Sequence, residues 1–430
     1  MAKTDMLTFV DRKQATPPKR DAELRQEDFE EIYVRFAPQD AADQASRCSQ
    51  CGVPYCQIHC PLQNNIPDWL KLTAEGRIEE AYELSSETST MPEICGRICP
   101  QDRLCEGNCV IEADFNSVTI GAVEKYLTDT AWEKGWVAPI AVGRSTGQSV
   151  GIIGAGPAGL AAAERLRIAG HAVTIYDRYD RAGGLLTYGI PGFKLEKEVV
   201  MRRVERLTSA GVEFTLNVDI GRDLTFQELQ RRHEAIFIAT GVYKARALDV
   251  PGIDLRGVHP AMDFLTASNR KGFGDVVAEF DNGALNAENR DVVVIGGGDT
   301  AMDCVRTAVR QGAKSVSCLY RRNRENMPGS LREVANAEEE GVTFLWQSAP
   351  EALLGDDAVR AIRAYKMSLG PVDATGRQSP VPIPGSGFEL AADLVIEALG
   401  FDPEDQPKAF DMPDLGVTRW GTLLTDQNSM

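Results

Sequence analysis

Long apolar runs are missing from this chain. The uncharged stretch Ser149–Ala163 is shorter than the roughly 20 residues a bilayer-spanning helix needs and holds four glycines, so no membrane anchor is expected. The start, Met1–Gln14, scatters Lys3, Asp5, Asp11, Arg12 and Lys13 among apolar residues, which leaves no apolar core for a secretory signal and predicts a cytoplasmic chain. An excess of positive charge is also lacking. The 46 Lys and Arg face 63 Asp and Glu, and the net charge of −17 opposes adventitious binding to nucleic acid. Histidines number four, and His171, His233 and His259 have no evident partners, so no general acid or base is read from them.

Cysteine, by contrast, is concentrated. Of ten cysteines, eight fall between Cys48 and Cys109, and only Cys304 and Cys318 lie elsewhere. In a reducing compartment such thiols do not pair as disulfides, and their clustering points to metal. With 430 residues against a prior of about 150 per domain, several cores are expected.

The first 40 residues read as a polar arm with one amphipathic helix over Glu23–Phe36, because Phe29, Ile32, Tyr33 and Phe36 share a face at helical spacing. The cysteine-rich stretch that follows has helical periodicity over Ile66–Leu84, so helices should hold the cysteine loops. Val137–Gln148, rich in Gly, Pro and Ser and without periodicity, reads as a linker. After it, a strand Ser149–Ile153, a glycine turn, a helix over Ala158–Ala169 and a strand Ala172–Tyr176 form one βαβ unit. The order recurs at Asp291–Ile295, Gly296–Gly298, Thr300–Arg310 and Ser315–Tyr320. Two similar tripeptides, Ala239-Thr240-Gly241 and Ala398-Leu399-Gly400, mark where the chain crosses between the two folds.

Gly154, Gly156 and Gly159, with Pro157 and Ala158, match G-x-G-x-x-G between a strand and a helix, so the helix N-terminus can face a pyrophosphate. Asp177 ends the second strand, 23 residues after Gly154, where an acid suits a free ribose 2′-hydroxyl. Gly184 and Leu185, in the run that starts at Gly183, and Thr240 with Gly241 supply further backbone for a flavin, and FAD is the favoured ligand. The second fingerprint reads G-x-G-x-x-A across Gly296, Gly298, Asp299, Thr300 and Ala301. Its second strand ends in Tyr320-Arg321-Arg322 with no acid. Arg321 and Arg322 can hold a 2′-phosphate that an aspartate would repel, so this site is read as taking NADPH. Two such sites on one chain describe a hydride relay from nicotinamide to flavin.

Cys48-x2-Cys51-x4-Cys56-x3-Cys60-Pro61 and Cys95-x3-Cys99-Pro100-x5-Cys105-x3-Cys109 supply two sets of four thiolates, the count needed for two cubane iron–sulfur clusters. Short C-x2-C spacings also bind structural zinc, and His59 beside Cys60 is a conceivable replacement ligand.

The cysteine set, GAGPAG at 154–159, the run Gly183–Pro191 and GGGDTAMDC at 296–304 together resemble the small (beta) subunits of bacterial NADPH-dependent glutamate synthases over nearly the whole chain. The amino-terminal part of dihydropyrimidine dehydrogenase and flavin subunits of ferredoxin:NADP oxidoreductases share these modules. The resemblance implies electron transfer from NADPH through FAD and two 4Fe-4S clusters to a large (alpha) subunit. That subunit, with FMN and a 3Fe-4S cluster, makes L-glutamate from L-glutamine and 2-oxoglutarate. It also implies interleaved ligation, with Cys48, Cys51, Cys56 and Cys109 on one cluster and Cys60, Cys95, Cys99 and Cys105 on the other. The pyrimidine enzyme departs at the position like Cys95, so eight cysteines lean toward glutamate synthase. Such flavoproteins close the FAD site with a late strand and a Gly-Asp pair, whereas this sequence stops at Asp426-Gln427-Asn428-Ser429-Met430, as if truncated.

The expected fold is α/β, with two nested Rossmann-like dinucleotide-binding domains behind a helical domain carrying two 4Fe-4S clusters. Its parts are the arm (1–40), the helical iron–sulfur domain (41–145), the FAD-binding domain (146–285), an inserted NADPH-binding domain (286–395) and the return of the FAD-binding domain (396–430). Two other readings stay open: the same module serving a pyrimidine or ferredoxin acceptor, and a zinc-bound, NADPH-sensing scaffold.

Overall fold

The computed structural model describes residues 6–372 and 378–426. The final Gln427-Asn428-Ser429-Met430, on which the expectation of a missing closing element partly falls, lies outside the described residues.

The arm does not form the expected helix. Between Glu23 and Phe36 only Leu24–Gln26 makes a single 3-10 turn, and Tyr33 bridges back to Lys19. Of the apolar residues at helical spacing, Phe29 is exposed, and Ile32 and Phe36 are buried by different neighbours. Ile32 donates its amide to the carbonyl of Phe193 at 3.3 Å, while Phe36 enters the core that surrounds Trp69. Tertiary contacts override the periodicity. Docking is nonetheless what the arm does: the fully buried Arg25 pairs with Glu339 at 2.6 Å and Glu340 at 3.1 Å.

The cysteine-rich stretch is helical, as expected. Its helices include Pro38–Ala45, Ile66–Ala74, Ile78–Thr88, Pro92–Ile98 and Ile120–Lys134. Three of these five carry proline in the first turn, where the missing N–H costs nothing, and the last stops at Gly135 in the left-handed conformation. Trp69, Leu70, Val123 and Leu127 fill the centre, and the indole N–H of Trp69 donates to Asn64 at 2.7 Å.

Strands β1 (Ser149–Ile153), β2 (Ala172–Asp177), β3 (Val212–Leu216) and β4 (Ala235–Ile238) form a parallel sheet in the order β3-β2-β1-β4. The chain then crosses through β5 (Lys244–Ala245) to a second parallel sheet. Its strands are β6 (Val258–Pro260), β7 (Asp291–Gly296), β8 (Ser315–Tyr320) and β9 (Thr343–Trp346). An antiparallel excursion follows, made of β10 (Ser348–Leu354), β11 (Ala361–Val372), β12 (Gln378–Pro382) and β13 (Phe388–Ala391). β14 (Leu394–Ala398) returns to complete the order β6-β14-β7-β8-β9, and β15 (Phe401–Asp402) pairs antiparallel with β5. The two crossing segments therefore lie side by side. The second sheet also reaches outside 286–395 at both ends, because Val258–Pro260 pairs with Val395–Glu397. A three-residue strand is too short to show a period in the sequence.

The two sheets have separate cores. Ile152, Leu160, Ile175 and Val199 belong to the first, and Val294, Ala301, Val305 and Cys318 to the second. Met91 and Ile94, on and beside the Pro92–Ile98 helix of the cysteine-rich unit, are part of the first core. Buried Glu93 on that helix accepts two hydrogen bonds from Arg203 of the first sheet's unit, each at 2.8 Å. The helix bearing Cys95 is thus fastened directly to the first nucleotide fold.

Candidate cofactor and metal sites

β1 delivers the chain into the turn at Gly154, and the helix Pro157–Ile168 begins at Gly156. Gly154 has a φ of +109°, and a Cβ there would overlap the carbonyl oxygen of Ala239. Only glycine fits both conditions. Above this turn lies a cavity of about 700 Å³ lined by Gly154, Gly156, Pro157 and Ala158, by Asp177 and Leu185, and by Thr240 and Gly241. Gly159 packs beneath the turn and Gly184 lies against Gly156. All ten residues assigned to this site from the sequence therefore converge.

Asp177 is spent partly on the turn itself. Its Oδ2 accepts from the amide of Ala155 at 2.6 Å and its Oδ1 from that of Tyr179 at 2.8 Å. Burial pushes its pKa up, and the two amides oppose that shift. Each carboxylate oxygen keeps a free lone pair for a ribose hydroxyl. Sequence reasoning missed Arg178, Tyr243 and Glu404, which also line the cavity. The Arg178 guanidinium lies 4.9 Å from the Tyr243 ring centroid and 2.9 Å from Glu404. Its place directly after the strand-ending acid was the available signal. The cavity's size, its glycine floor and its buried acid fit a dinucleotide bound by its pyrophosphate and ribose.

The second turn repeats the first. Gly296 has a φ of +151°, and a Cβ there would overlap the carbonyl oxygen of Ala398. The helix Asp299–Arg310 starts at Gly298, beside which the space is open. Asp299 accepts from the amide of Ser330 at 3.0 Å, Thr300 is half-buried in the first turn, and Ala301 is buried in the second core. Arg321 is exposed just past β8, while Arg322 donates from Nε to the carbonyl of Gln378 at 3.0 Å. The segment after these arginines folds back over the turn, with the Gly329 amide donating to the Gly297 carbonyl at 2.9 Å. A helix N-terminus with nearby guanidinium groups fits a phosphorylated dinucleotide.

The histidines stand apart from both turns. His233 bonds Tyr176 at 2.9 Å and Ser149 at 3.2 Å, His171 bonds Thr146 at 2.9 Å, and none of the four lines the first cavity. Cys304 is fully buried within the helix after the second turn.

The eight clustered cysteines are free thiols. Cys48, Cys51 and Cys56 from the first group and Cys109 from the second line one small cavity of about 20 Å³. Burial pushes the Cys48 thiol up to about 11 and Cys56 up to about 12, so both are neutral until a cation displaces their protons. Around the other set, the thiol of Cys99 helps to push Cys95 up and that of Cys60 helps to push Cys105 up. Among the described residues no three His, Cys, Asp or Glu side chains converge tightly enough to grip a single ion. Four soft donors spaced around a void suit a polynuclear cluster better than one tetrahedral ion. His59 is exposed and lies against Tyr55.

Among the described residues no helix is long and apolar enough to cross a membrane. Comparison with known proteins agrees with the geometry. Residues 25–136 match the family of dihydropyrimidine dehydrogenase domain II, 4Fe-4S cluster, and residues 148–429 match the pyridine nucleotide-disulphide oxidoreductases. The glutamate synthase (NADPH) small chain of Azospirillum brasilense is 63% identical over 100% of this chain and 89% of its own length. That of Escherichia coli K12 is 47% identical over 92% of this chain and 84% of its own. Among solved structures, Mycobacterium tuberculosis FprA in complex with NADPH shares the fold, with a TM-score of 0.52 and 22% identity over 60% of this chain and 72% of that one. The iron–sulfur module, the flavin and NADPH fold and the length of these matches lead to one assignment: the chain belongs to the family of glutamate synthase (NADPH) small chains and is an NADPH-dependent oxidoreductase.

Proposed function

We propose that this chain is the electron-input subunit of a cytoplasmic glutamate synthase. NADPH binds at the second glycine turn with Arg321 and Arg322 on its 2′-phosphate, and FAD binds in the cavity above the first turn with Asp177 on its ribose. When bound, these groups supply hydride transfer and its division into single electrons. The protein's own part is to align them. Gly154, Gly156 and the helix N-terminus seat one pyrophosphate, and Gly296, Gly298 and Asp299–Ala301 seat the other. Cys48, Cys51, Cys56 and Cys109 hold one 4Fe-4S cluster, and Cys60, Cys95, Cys99 and Cys105 hold a second. The electrons leave for a large subunit carrying FMN and a 3Fe-4S cluster, where glutamine and 2-oxoglutarate become glutamate.

The observation that carries this reading is the gathering of Cys109 with Cys48, Cys51 and Cys56 around one cavity. Chain order would have grouped Cys60 with them, so the shared cavity supports the interleaved reading. Partner and product are tested together. Tagged protein should capture a glutamine-dependent large chain from its native cells, and only the pair should form glutamate from glutamine, 2-oxoglutarate and NADPH. Alone, the FAD-loaded chain should reduce an artificial one-electron acceptor with NADPH and make no glutamate. Glutamate formed by this chain by itself would refute the proposal.

A further inference from the structure

Arg47, one residue before Cys48, is fully buried, and every acceptor it reaches is a neutral main-chain carbonyl. Its Nε donates to Arg12 at 2.9 Å, its Nη2 to Phe115 at 2.6 Å and Asn116 at 3.0 Å, and its Nη1 to Ser117. No ion pair to it is found among the described residues. Carbonyl dipoles satisfy its N–H groups but do not cancel its charge, and a buried, unpaired charge is costly. The acidic groups that act on it are Cys109 and Glu112. Glu112 is itself engaged, accepting from the amide of Ser117 at 2.6 Å.

The other four thiols have different surroundings. Glu106 and Glu124 act electrostatically on Cys105 and Glu93 on Cys95, and burial pushes Glu106 and Glu124 up toward their neutral forms. Glu93 is balanced by Arg203, and Glu106 accepts from the amide of Gly121 at 2.9 Å. Cys60 and Cys105 share the core of the helical unit with Cys48, Cys56 and Cys109, but Cys95 sits on the helix whose neighbours Met91 and Ile94 enter the core of the first nucleotide fold, which places its site toward that fold.

We propose that Arg47 is a fixed countercharge for the site formed by Cys48, Cys51, Cys56 and Cys109, and that it sets this site's reduction potential above that of the Cys60, Cys95, Cys99 and Cys105 site. This rests on the reading of both thiol sets as iron–sulfur sites. Each electron added makes a four-thiolate cluster more negative, so a nearby buried cation favours the reduced form. A guanidinium keeps its charge through the working pH range. The site nearer the flavin is then the lower in potential and the Arg47 site the higher, and electrons run downhill away from the flavin to the Arg47 site.

The test is a potentiometric titration of the purified holoprotein followed by electron paramagnetic resonance. Cys51→Ser identifies which signal belongs to the Arg47 site, because a changed ligand alters that spectrum. In the wild type this signal should titrate at the higher potential. Arg47→Gln should lower it by at least a tenfold change in the reduction equilibrium, about 59 mV for one electron, and leave the other signal in place. Arg47→Lys should retain most of the wild-type value. An Arg47→Gln protein with full iron and sulfide and an unchanged potential would overturn the proposal, as would equal shifts of both signals. If that variant does not fold, the wild-type order decides, and a Cys51-marked signal titrating below its neighbour overturns the proposal. Fewer than two iron–sulfur signals in the wild type would overturn the underlying reading as well, whereas two signals in the reverse order would overturn this one alone.

Discussion

The carbonyl oxygen of Ala398 occupies the space that a Cβ on Gly296 would need, and Ala239 stands in the same relation to Gly154. Each nucleotide turn is therefore pressed against the tripeptide by which the chain leaves that fold. The repeat makes the two sites separable by mutation.

Gly154→Ala should strip flavin, and Gly296→Ala should raise the NADPH Michaelis constant with flavin retained. Strain at a positive φ costs about 1–3 kcal/mol, and 1.4 kcal/mol is about a tenfold change, so effects of tenfold or more are expected. Flavin absorbance and steady-state kinetics read the two outcomes. Equal flavin loss in both variants would contradict the assignment.

Arg321 and Arg322 stand where an acid would mark an NAD site. Replacing them together by Asp and Gln should weaken NADPH about ten- to a hundredfold, since a hydrogen bond to a charged group contributes about 1.5–3 kcal/mol. NADH turnover and the flavin spectrum should stay as they are. Parallel losses with both nucleotides would assign these arginines to folding, and equal use of both by the wild type would remove the case for an NADP site.

The thiol partition predicts that Cys60→Ser and Cys109→Ser damage different clusters, although Cys60 lies in the first cysteine group. Cys48→Ser and Cys109→Ser, whose thiols share one cavity, should damage the same one. Low-temperature spectra of the three variants decide between this and grouping by chain order.

Glu333 joins the helix after the second turn to the rest of the chain. Burial alone would raise its pKa, but Lys194, Arg306 and Arg332 outweigh that and hold it down to about 2. Arg306, fully buried, donates to it at 2.5 Å. A depressed carboxylate contributes stability that is present above its unfolded pKa of about 4.3 and lost as pH falls toward 2. Glu333→Gln should therefore be less stable than the wild type at pH 7, on the order of 3 kcal/mol. The gap should narrow as pH drops below about 4.3. Unfolding midpoints of both proteins from pH 7 to pH 3 measure it, and a gap independent of pH would contradict the role.

Both glycine turns were legible in the sequence because strand, turn and helix signals agree there and a single chemistry requires them together. Asp177, Thr240 and Gly241 were legible for the same reason. Phe29, Ile32 and Phe36 misled, since in an extended arm Phe29 and Ile32 meet Phe193 while Phe36 enters the core around Trp69. Val258–Pro260 is too short to announce a strand, and the antiparallel excursion of Ser348–Ala391 left no expectation at all. Arg47 was invisible because its partners are carbonyl groups, which every residue possesses. Tyr243 reaches the first cavity only through the crossing of the chain at Gly241, whereas Arg178 follows the strand-ending Asp177 directly.

The central claim is an NADPH-oxidising flavin chain with two iron–sulfur clusters, and metal and sulfide analysis of anaerobically purified protein tests it most directly. Such a chain should hold about eight irons and matching acid-labile sulfide, four per cluster, with visible cluster absorption that NADPH bleaches when FAD is bound. Stoichiometric zinc, with no sulfide and no cluster absorption, would contradict it.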